Sequence, residues 1–112
     1  MSLSATGQWD FETSAARENY DAALREYPAQ AIIDLAALRD NMRHIVGMVK
    51  KPGSGAGGTE AMGVVKADAY GHGLVPTALA ALAGGASWLG TAQSREALKL
   101  REIGIGPGRA HI

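Results

Sequence analysis

The stretch AMGVVKADAYGHG, residues 61–73, decides the fold that we predict for this chain. It opens with a short apolar run, and a single lysine, Lys66, follows Val65 with no polar residue in between. A β-branched run bounded by glycine is typical of a buried strand in a parallel sheet. The carboxyl ends of such strands are where α/β folds place their functional groups. We therefore predict that Lys66 stands at the functional edge of a parallel sheet.

A lysine at this position has two interpretations. Burying an ammonium without a partner is costly, and an amine that its surroundings keep neutral can form a Schiff base with an aldehyde. The alternative is a strand-end lysine whose stem covers apolar surface while its ammonium reaches solvent. Because side chains alternate along a strand, Val64 shares a face with Lys66 and would wall whatever Lys66 holds.

Strands and helices alternate on both sides of this stretch. The patterns predict strands at residues 30–35, 61–66 and 87–92, and the start of a fourth strand at residues 109–112. Helices are predicted at residues 36–50, 75–83 and 94–103, the first with Asp34 as a possible N-cap. Such alternation indicates right-handed βαβ units, and therefore an α/β fold with a parallel sheet. A closed eight-stranded barrel needs about 250 residues, and this chain has 112.

The segments outside these units carry weaker patterns. Residues 1–12 show no periodicity and are predicted to be disordered. Residues 13–26 are predicted to form a short helix that Pro28 ends, so residues 1–26 are an extension before a domain at residues 27–112. The glycine-rich residues 52–60 are predicted to be a flexible surface loop, because a phosphate-binding loop would need a strand before it.

Composition excludes several classes of function. The formal net charge is +0 at pH 7, so nothing favours binding to nucleic acid or to an anionic membrane. The chain has no cysteine, so neither disulfides nor thiolate metal sites can form, and we predict no metal site. No apolar run approaches the roughly 20 residues of a membrane helix, and the first residues lack the pattern of a secretory signal. A cytoplasmic protein is expected.

The segment VVKADAYGHG, residues 64–73, resembles the cofactor-lysine signature of the alanine racemases, which are fold-type III pyridoxal-phosphate enzymes. The match includes the Lys-x-x-x-Tyr spacing and the Gly-His-Gly ending. Residues 31–41 and 88–98 resemble the first and third strand–helix units of the same family. The resemblance covers roughly residues 27–112. It implies a truncated pyridoxal-phosphate-binding (β/α)8 barrel of the TIM type, with three βα units, the start of a fourth strand, and no C-terminal β-domain.

The resemblance also implies a function and a set of site residues. The family racemises L-alanine and D-alanine for peptidoglycan precursors, using pyridoxal 5'-phosphate. Lys66 would form the internal aldimine and serve as one of two bases, and the Tyr70 hydroxyl would bind the cofactor phosphate. Val64, which alternation along the strand places beside Lys66, is then predicted to line the cofactor site. The second base of the family is a tyrosine that a partner subunit contributes in a homodimer. No residue here matches it, so the 112-residue chain alone is expected to be inactive.

Two residues near Lys66 are given structural roles, and two other functions remain as alternatives. Asp68 is interpreted as a turn former, and His72 as a structural rather than a catalytic residue. Another fold-type III amino-acid racemase or decarboxylase would share the same signature, because substrate choice lies outside these residues. A non-catalytic fragment is the third possibility.

Overall fold

The fold is given by a computed structural model that describes residues 2–3, 9–10, 22, 25–26, 29, 31–50 and 58–112. Its strands are β1 (Ser2–Leu3), β2 (Trp9–Asp10), β3 (Met62–Val64) and β4 (Trp88–Gly90). Its helical segments are α1 (Leu35–Val49), α2 (Lys66–Tyr70), α3 (Leu74–Ala83) and α4 (Ser94–Glu102). Apart from α2, which was not predicted, the elements from α1 onward follow the predicted alternation, with boundaries shifted by at most two residues.

The sheet that carries Lys66 is parallel, as predicted. Strand β3 pairs with β4, and Gly63 lies opposite Leu89. His111 then forms a single parallel bridge with Trp88, donating its backbone N–H to the Ser87 carbonyl at 3.0 Å. The chain therefore places β3, β4 and the beginning of a further strand side by side in sequence order, which is the arrangement expected of successive βαβ units.

The strand predicted at residues 30–35 is not found among the residues of that stretch that the structure describes, 31–35. Residues 31–34 belong to no strand, and α1 already begins at Leu35. A strand exists only where a neighbouring segment completes its ladder of hydrogen bonds, and no described segment pairs with residues 31–34. The described residues therefore contain two βα units and the bridge at His111 instead of the three units predicted. The predicted N-cap is confirmed, since the Asp34 carboxylate accepts a hydrogen bond from the Ala37 N–H at 2.9 Å.

The core lies between the sheet and the helices that cover one of its faces. Its buried side chains are mostly small or aliphatic: Val65, Ala69, Leu74, Ala78, Leu79, Ala81, Leu82, Ala86, Leu89, Leu100, Ile105 and Ala110. Close approach explains the small residues, because a Cβ added at Gly63 would lie 2.9 Å from the Ala81 Cβ on α3. Helix α1 packs on α3 from outside, with Met42 against the core. The opposite face of the sheet carries exposed side chains.

The amino-terminal extension contains a short antiparallel pair. Strand β1 runs against β2, with Ser2 opposite Asp10 and Leu3 opposite Trp9. This pairing differs from the disorder predicted for residues 1–12, although residues 4–8 of that stretch lie outside the described residues. Of the helix predicted at residues 13–26, Ala22, Arg25 and Glu26 are helical and the others lie outside the described part, as do residues 51–57 of the glycine-rich loop.

Candidate active site

Lys66 follows directly after the last laddered residue at the carboxyl end of β3. Val65 still donates its backbone N–H to the Gly90 carbonyl on β4 at 2.8 Å. Exposure alternates along this strand, with Gly63 and Val65 buried against the helices and Val64 exposed on the other side. The Val64 side chain is 45% exposed. Val64 and Lys66 are thus both exposed, but Lys66 already belongs to α2, so the alternation of the strand extends only to Val65.

The chain after Lys66 turns in the left-handed sense. Four consecutive non-glycine residues, Ala67, Asp68, Ala69 and Tyr70, have φ values between 52° and 56°. This conformation costs an L-residue roughly 1–2 kcal/mol because its Cβ approaches the following carbonyl oxygen. We call residues 67–70 the left-handed turn. Because four residues each bear this conformational cost, the turn needs contacts that stabilise it. The predicted elements leave residues 67–73 as a connection between the strand at residues 61–66 and the helix at residues 75–83, with no sign of this conformation.

Asp68 ties the left-handed turn to the beginning of α3. Its Oδ1 accepts a hydrogen bond from the Leu74 N–H at 2.7 Å, and its carbonyl accepts from the Gly73 N–H at 2.9 Å. The small side chain of Ala69 is 3% exposed in the core, and its N–H donates to the Val65 carbonyl at 2.9 Å. The turn is thus anchored both to the strand before it and to the helix after it, which agrees with Asp68 as a turn former.

Glu96 joins the left-handed turn to the loop after β4. Its Oε1 accepts from the Asp68 N–H and its Oε2 from the N–H groups of Ala92 and Gln93, each at 3.3 Å. Desolvation acts to raise the pKa of this carboxyl, but hydrogen bonds from the backbone N–H groups of Ala92, Asp68, Gln93 and Ala67 outweigh it and lower the pKa. No spacing pattern in the sequence signals the contact of Glu96 with Asp68, which lie 28 residues apart.

The Tyr70 ring lies beside the lysine. The Lys66 Nζ is 5.8 Å from the ring centroid, within the range of a cation–π contact. Tyr70 is 61% exposed, so its hydroxyl is accessible to a ligand. His72 points back at the turn, with its Nδ1 2.9 Å from the Ala69 carbonyl oxygen. That contact agrees with the structural role predicted for His72.

These residues fit an aldehyde cofactor with an anionic substituent. In the described part of the chain the ion pairs join Asp40 to Arg39 and Arg43, and none involves Lys66. Its amine is exposed and has no carboxylate partner among the described residues, so an aldehyde can reach it, and the same exposure also fits the solvent-reaching alternative. The Tyr70 hydroxyl supplies a hydrogen-bond donor nearby, and the exposed Val64 supplies an apolar surface.

Comparison with known proteins identifies one family. The model of the family "Alanine racemase, N-terminal domain" matches residues 33–112. The chain is 54% identical over 79 residues to an alanine racemase from Beutenbergia cavernae, a match that covers 70% of this chain and 19% of that protein. It is 53% identical over 88 residues to an alanine racemase from Streptomyces coelicolor, covering 79% of this chain and 20% of that protein.

A solved structure gives the same result. The crystal structure of alanine racemase from D-cycloserine-producing Streptomyces lavendulae matches with a TM-score of 0.57 and 47% sequence identity, covering 66% of this chain and 18% of that one. The matched region thus spans about a fifth of the length of these relatives. Among the helices that the structure describes, none is both long enough and apolar enough to cross a membrane.

Proposed function

Because this chain belongs to the alanine racemase N-terminal domain family, we propose that it supplies the cofactor lysine of a racemase that interconverts L-alanine and D-alanine. The observation that carries the proposal is the exposed Lys66 amine directly after the parallel strand β3. Functional groups of α/β folds stand at the carboxyl ends of parallel strands. Racemisation itself is proposed for the whole protein. The relative from Beutenbergia cavernae is about five times as long as the region that this chain matches.

Lys66 is proposed to hold pyridoxal 5'-phosphate through its Nζ. When bound, this cofactor draws electrons away from the α carbon of an amino acid, which makes the α proton removable. The Nζ of Lys66 would then take that proton from one face and return it, as one of two bases. Its flexible stem permits the movement between these tasks, and the absence of an ion pair in the described residues leaves the amine available.

Tyr70 and Val64 are proposed to orient the cofactor. The Tyr70 hydroxyl would donate a hydrogen bond to its phosphate, and the ring beside Lys66 would restrict the directions open to the amine. Val64, which precedes Lys66 by two residues and is exposed, would exclude water from one side of the cofactor ring. The second base, a homodimer partner, the role in peptidoglycan precursor supply and a cytoplasmic location belong to the same proposal and are drawn from the family.

The test is a chimera in which residues 33–112 of this chain replace the matching segment of the Streptomyces coelicolor relative. We expect the chimera to racemise alanine and to support growth of a bacterium that requires D-alanine. Lys66→Ala should lower the rate by at least about a hundredfold, because a positioned proton carrier contributes that much or more. Lys99→Arg, on α4, is the matched control and should leave the rate unchanged.

Two outcomes would contradict the proposal. One is a folded chimera without racemase activity on alanine, and the other is a Lys66→Ala chimera that keeps its activity. Racemisation or decarboxylation of a different amino acid, with alanine unreactive, would favour the related fold-type III enzymes instead.

A further inference from the structure

We infer that Glu96 is the positioning residue of Lys66: its carboxylate holds the left-handed turn and thereby fixes the direction in which the Lys66 amine leaves the sheet. The inference rests on the proposed function, because Lys66 needs a fixed direction only if it holds a cofactor. Three observations carry it: the contact between Glu96 and the turn, the double role of its two oxygens, and the anchoring of α4.

The contact is made at the first residues after the lysine. The Glu96 Oε1 accepts the N–H of Asp68, two residues beyond Lys66. The first N–H groups of any helical turn have no acceptor within the turn, so an outside acceptor is needed to hold them. Later in the turn the backbone provides its own acceptors, since the Gly71 N–H donates to the Asp68 carbonyl at 3.1 Å. Glu96 therefore acts where the turn cannot stabilise itself.

The two carboxylate oxygens connect the ends of two adjacent strands. While Oε1 binds the turn after β3, Oε2 accepts from the N–H groups of Ala92 and Gln93 in the loop after β4. A carboxylate can do both because each oxygen is an acceptor. A glutamine has one acceptor oxygen, and its NH₂ group would face backbone donors. Glu96→Gln therefore replaces one acceptor by a donor and removes the charge that strengthens the hydrogen bonds to both segments, so the left-handed turn is held less firmly.

The helix that carries Glu96 is fixed in the core. Leu100, one turn further along α4, is fully buried, and the Arg101 guanidinium donates to the Ile105 and Ala110 carbonyls at 2.7 and 3.0 Å. The Glu96 carboxylate thus extends from a rigid element toward a strained one. A capping-box role alone would require the Glu96 carboxylate to accept only the Gln93 N–H. The Asp68 contact goes beyond capping.

The experiment uses the full 112-residue chain and compares Glu96→Gln with Glu102→Gln, an exposed carboxyl on the same helix. The first readout is hydrogen exchange at the amides of residues 67 and 68. The second is incubation with pyridoxal 5'-phosphate, fixation with borohydride, and the ratio of adduct on Lys66 to adduct on Lys50. We expect Glu96→Gln to speed exchange by about tenfold or more, because a hydrogen bond to a charged acceptor is lost. We also expect it to lower the Lys66:Lys50 adduct ratio severalfold.

A second variant separates positioning from general stability. Ala67→Gly removes the Cβ that resists the left-handed conformation, so in the Glu96→Gln background it should restore part of the lysine ratio. Unchanged exchange and an unchanged ratio in Glu96→Gln would overturn the inference. So would a Glu96→Gln chain that unfolds and that Ala67→Gly does not restore, since the carboxylate would then serve the helix rather than the turn.

The proposed function and this inference fail in different ways. If the unmodified chain shows no excess of adduct on Lys66 over Lys50, the proposed function fails. If the excess is present and Glu96→Gln preserves it, with exchange at residues 67 and 68 as slow as in Glu102→Gln, the cofactor lysine stands and the positioning role of Glu96 fails.

Discussion

The indole ring of Trp88 stacks on the imidazole of His111, with ring centroids 4.2 Å apart and planes inclined by 25°. The same indole donates its N–H to the Glu60 carboxylate at 2.9 Å. These contacts join the segment before β3, the first residue of β4 and the start of the next strand. They lie at the amino ends of the strands, opposite to Lys66, where side chains in parallel α/β barrels serve stability rather than chemistry.

His111→Ala should destabilise the chain by about 0.5–1.5 kcal/mol, because the stacked pair is lost and the bridge between Trp88 and residue 111 is left with backbone hydrogen bonds only. Urea unfolding, followed by circular dichroism, measures the change. His44→Ala, at an exposed position on α1, is the control and should cost nothing measurable. Equal stability of the two variants would show that the stack contributes nothing.

Gly84→Ala should destabilise by about 1–3 kcal/mol through overpacking. A Cβ at this position would lie 2.5 Å from the Arg39 carbonyl oxygen and 2.7 Å from the Met42 Cβ, so α1 would have to move away from α3. Gly106→Ala is the matched control, since a Cβ there meets nothing within 4 Å. The difference between the two midpoints of urea unfolding gives the cost. A Gly84→Ala chain as stable as Gly106→Ala would contradict the packing of α1 on α3.

Asp34→Ala should lower the stability of α1 by about 1 kcal/mol, because the Ala37 N–H loses its acceptor at the N-cap. Asp34→Asn keeps a side-chain oxygen at the same place and should cost little. Helix content from circular dichroism, together with urea unfolding, distinguishes the two variants. An Asn variant as unstable as the Ala variant would show that charge, and not the cap hydrogen bond, is what matters.

Stability should fall in acid through two carboxyl groups. Hydrogen bonds from Trp88 and Ser87 lower the pKa of Glu60, and backbone N–H groups lower that of Glu96 against the opposing effect of desolvation. A carboxyl whose folded pKa lies below its unfolded value contributes stability that is present above the unfolded pKa and is lost as the pH falls through the folded one. The melting temperature should therefore fall as the pH is lowered below the ordinary pKa range of glutamate.

The pH prediction has a matched test. Glu96→Gln should melt at a temperature that changes less between pH 7 and pH 3 than that of Glu102→Gln, because one of the titrating groups has been removed. If both variants lose stability equally over this interval, the hydrogen bonds to Glu96 do not contribute to the folded state.

The elements around Lys66 could be predicted because local patterns determine them. Val65 and Leu89 lie in apolar runs that end at turns, and both are buried at parallel strands. Asp34 precedes an amphipathic run and caps it. The strand at residues 30–35 was predicted from the same kind of pattern, but a strand also requires a paired neighbour, and pairing depends on segments distant in sequence.

The shape of the candidate site could not be predicted from local pattern. Alanine disfavours the left-handed conformation and aspartate adopts it mainly as a single residue, so the sequence Ala67–Asp68–Ala69 does not predict a left-handed run. The contact that holds it links Glu96 to Asp68 over 28 residues of sequence. Lys66 and Tyr70 were predicted from a family signature and Val64 from alternation along the strand, and the structure has the Lys66 Nζ 5.8 Å from the Tyr70 ring centroid.

The most direct test of the account is to map pyridoxal 5'-phosphate on the full chain. The chain has four lysines, namely Lys50, Lys51, Lys66 and Lys99. After incubation with the cofactor, fixation with borohydride and proteolysis, mass spectrometry gives the share of adduct on each. The account predicts that the adduct concentrates on Lys66 and that its excess disappears in urea. Adduct spread evenly over the four lysines in the folded chain would contradict it.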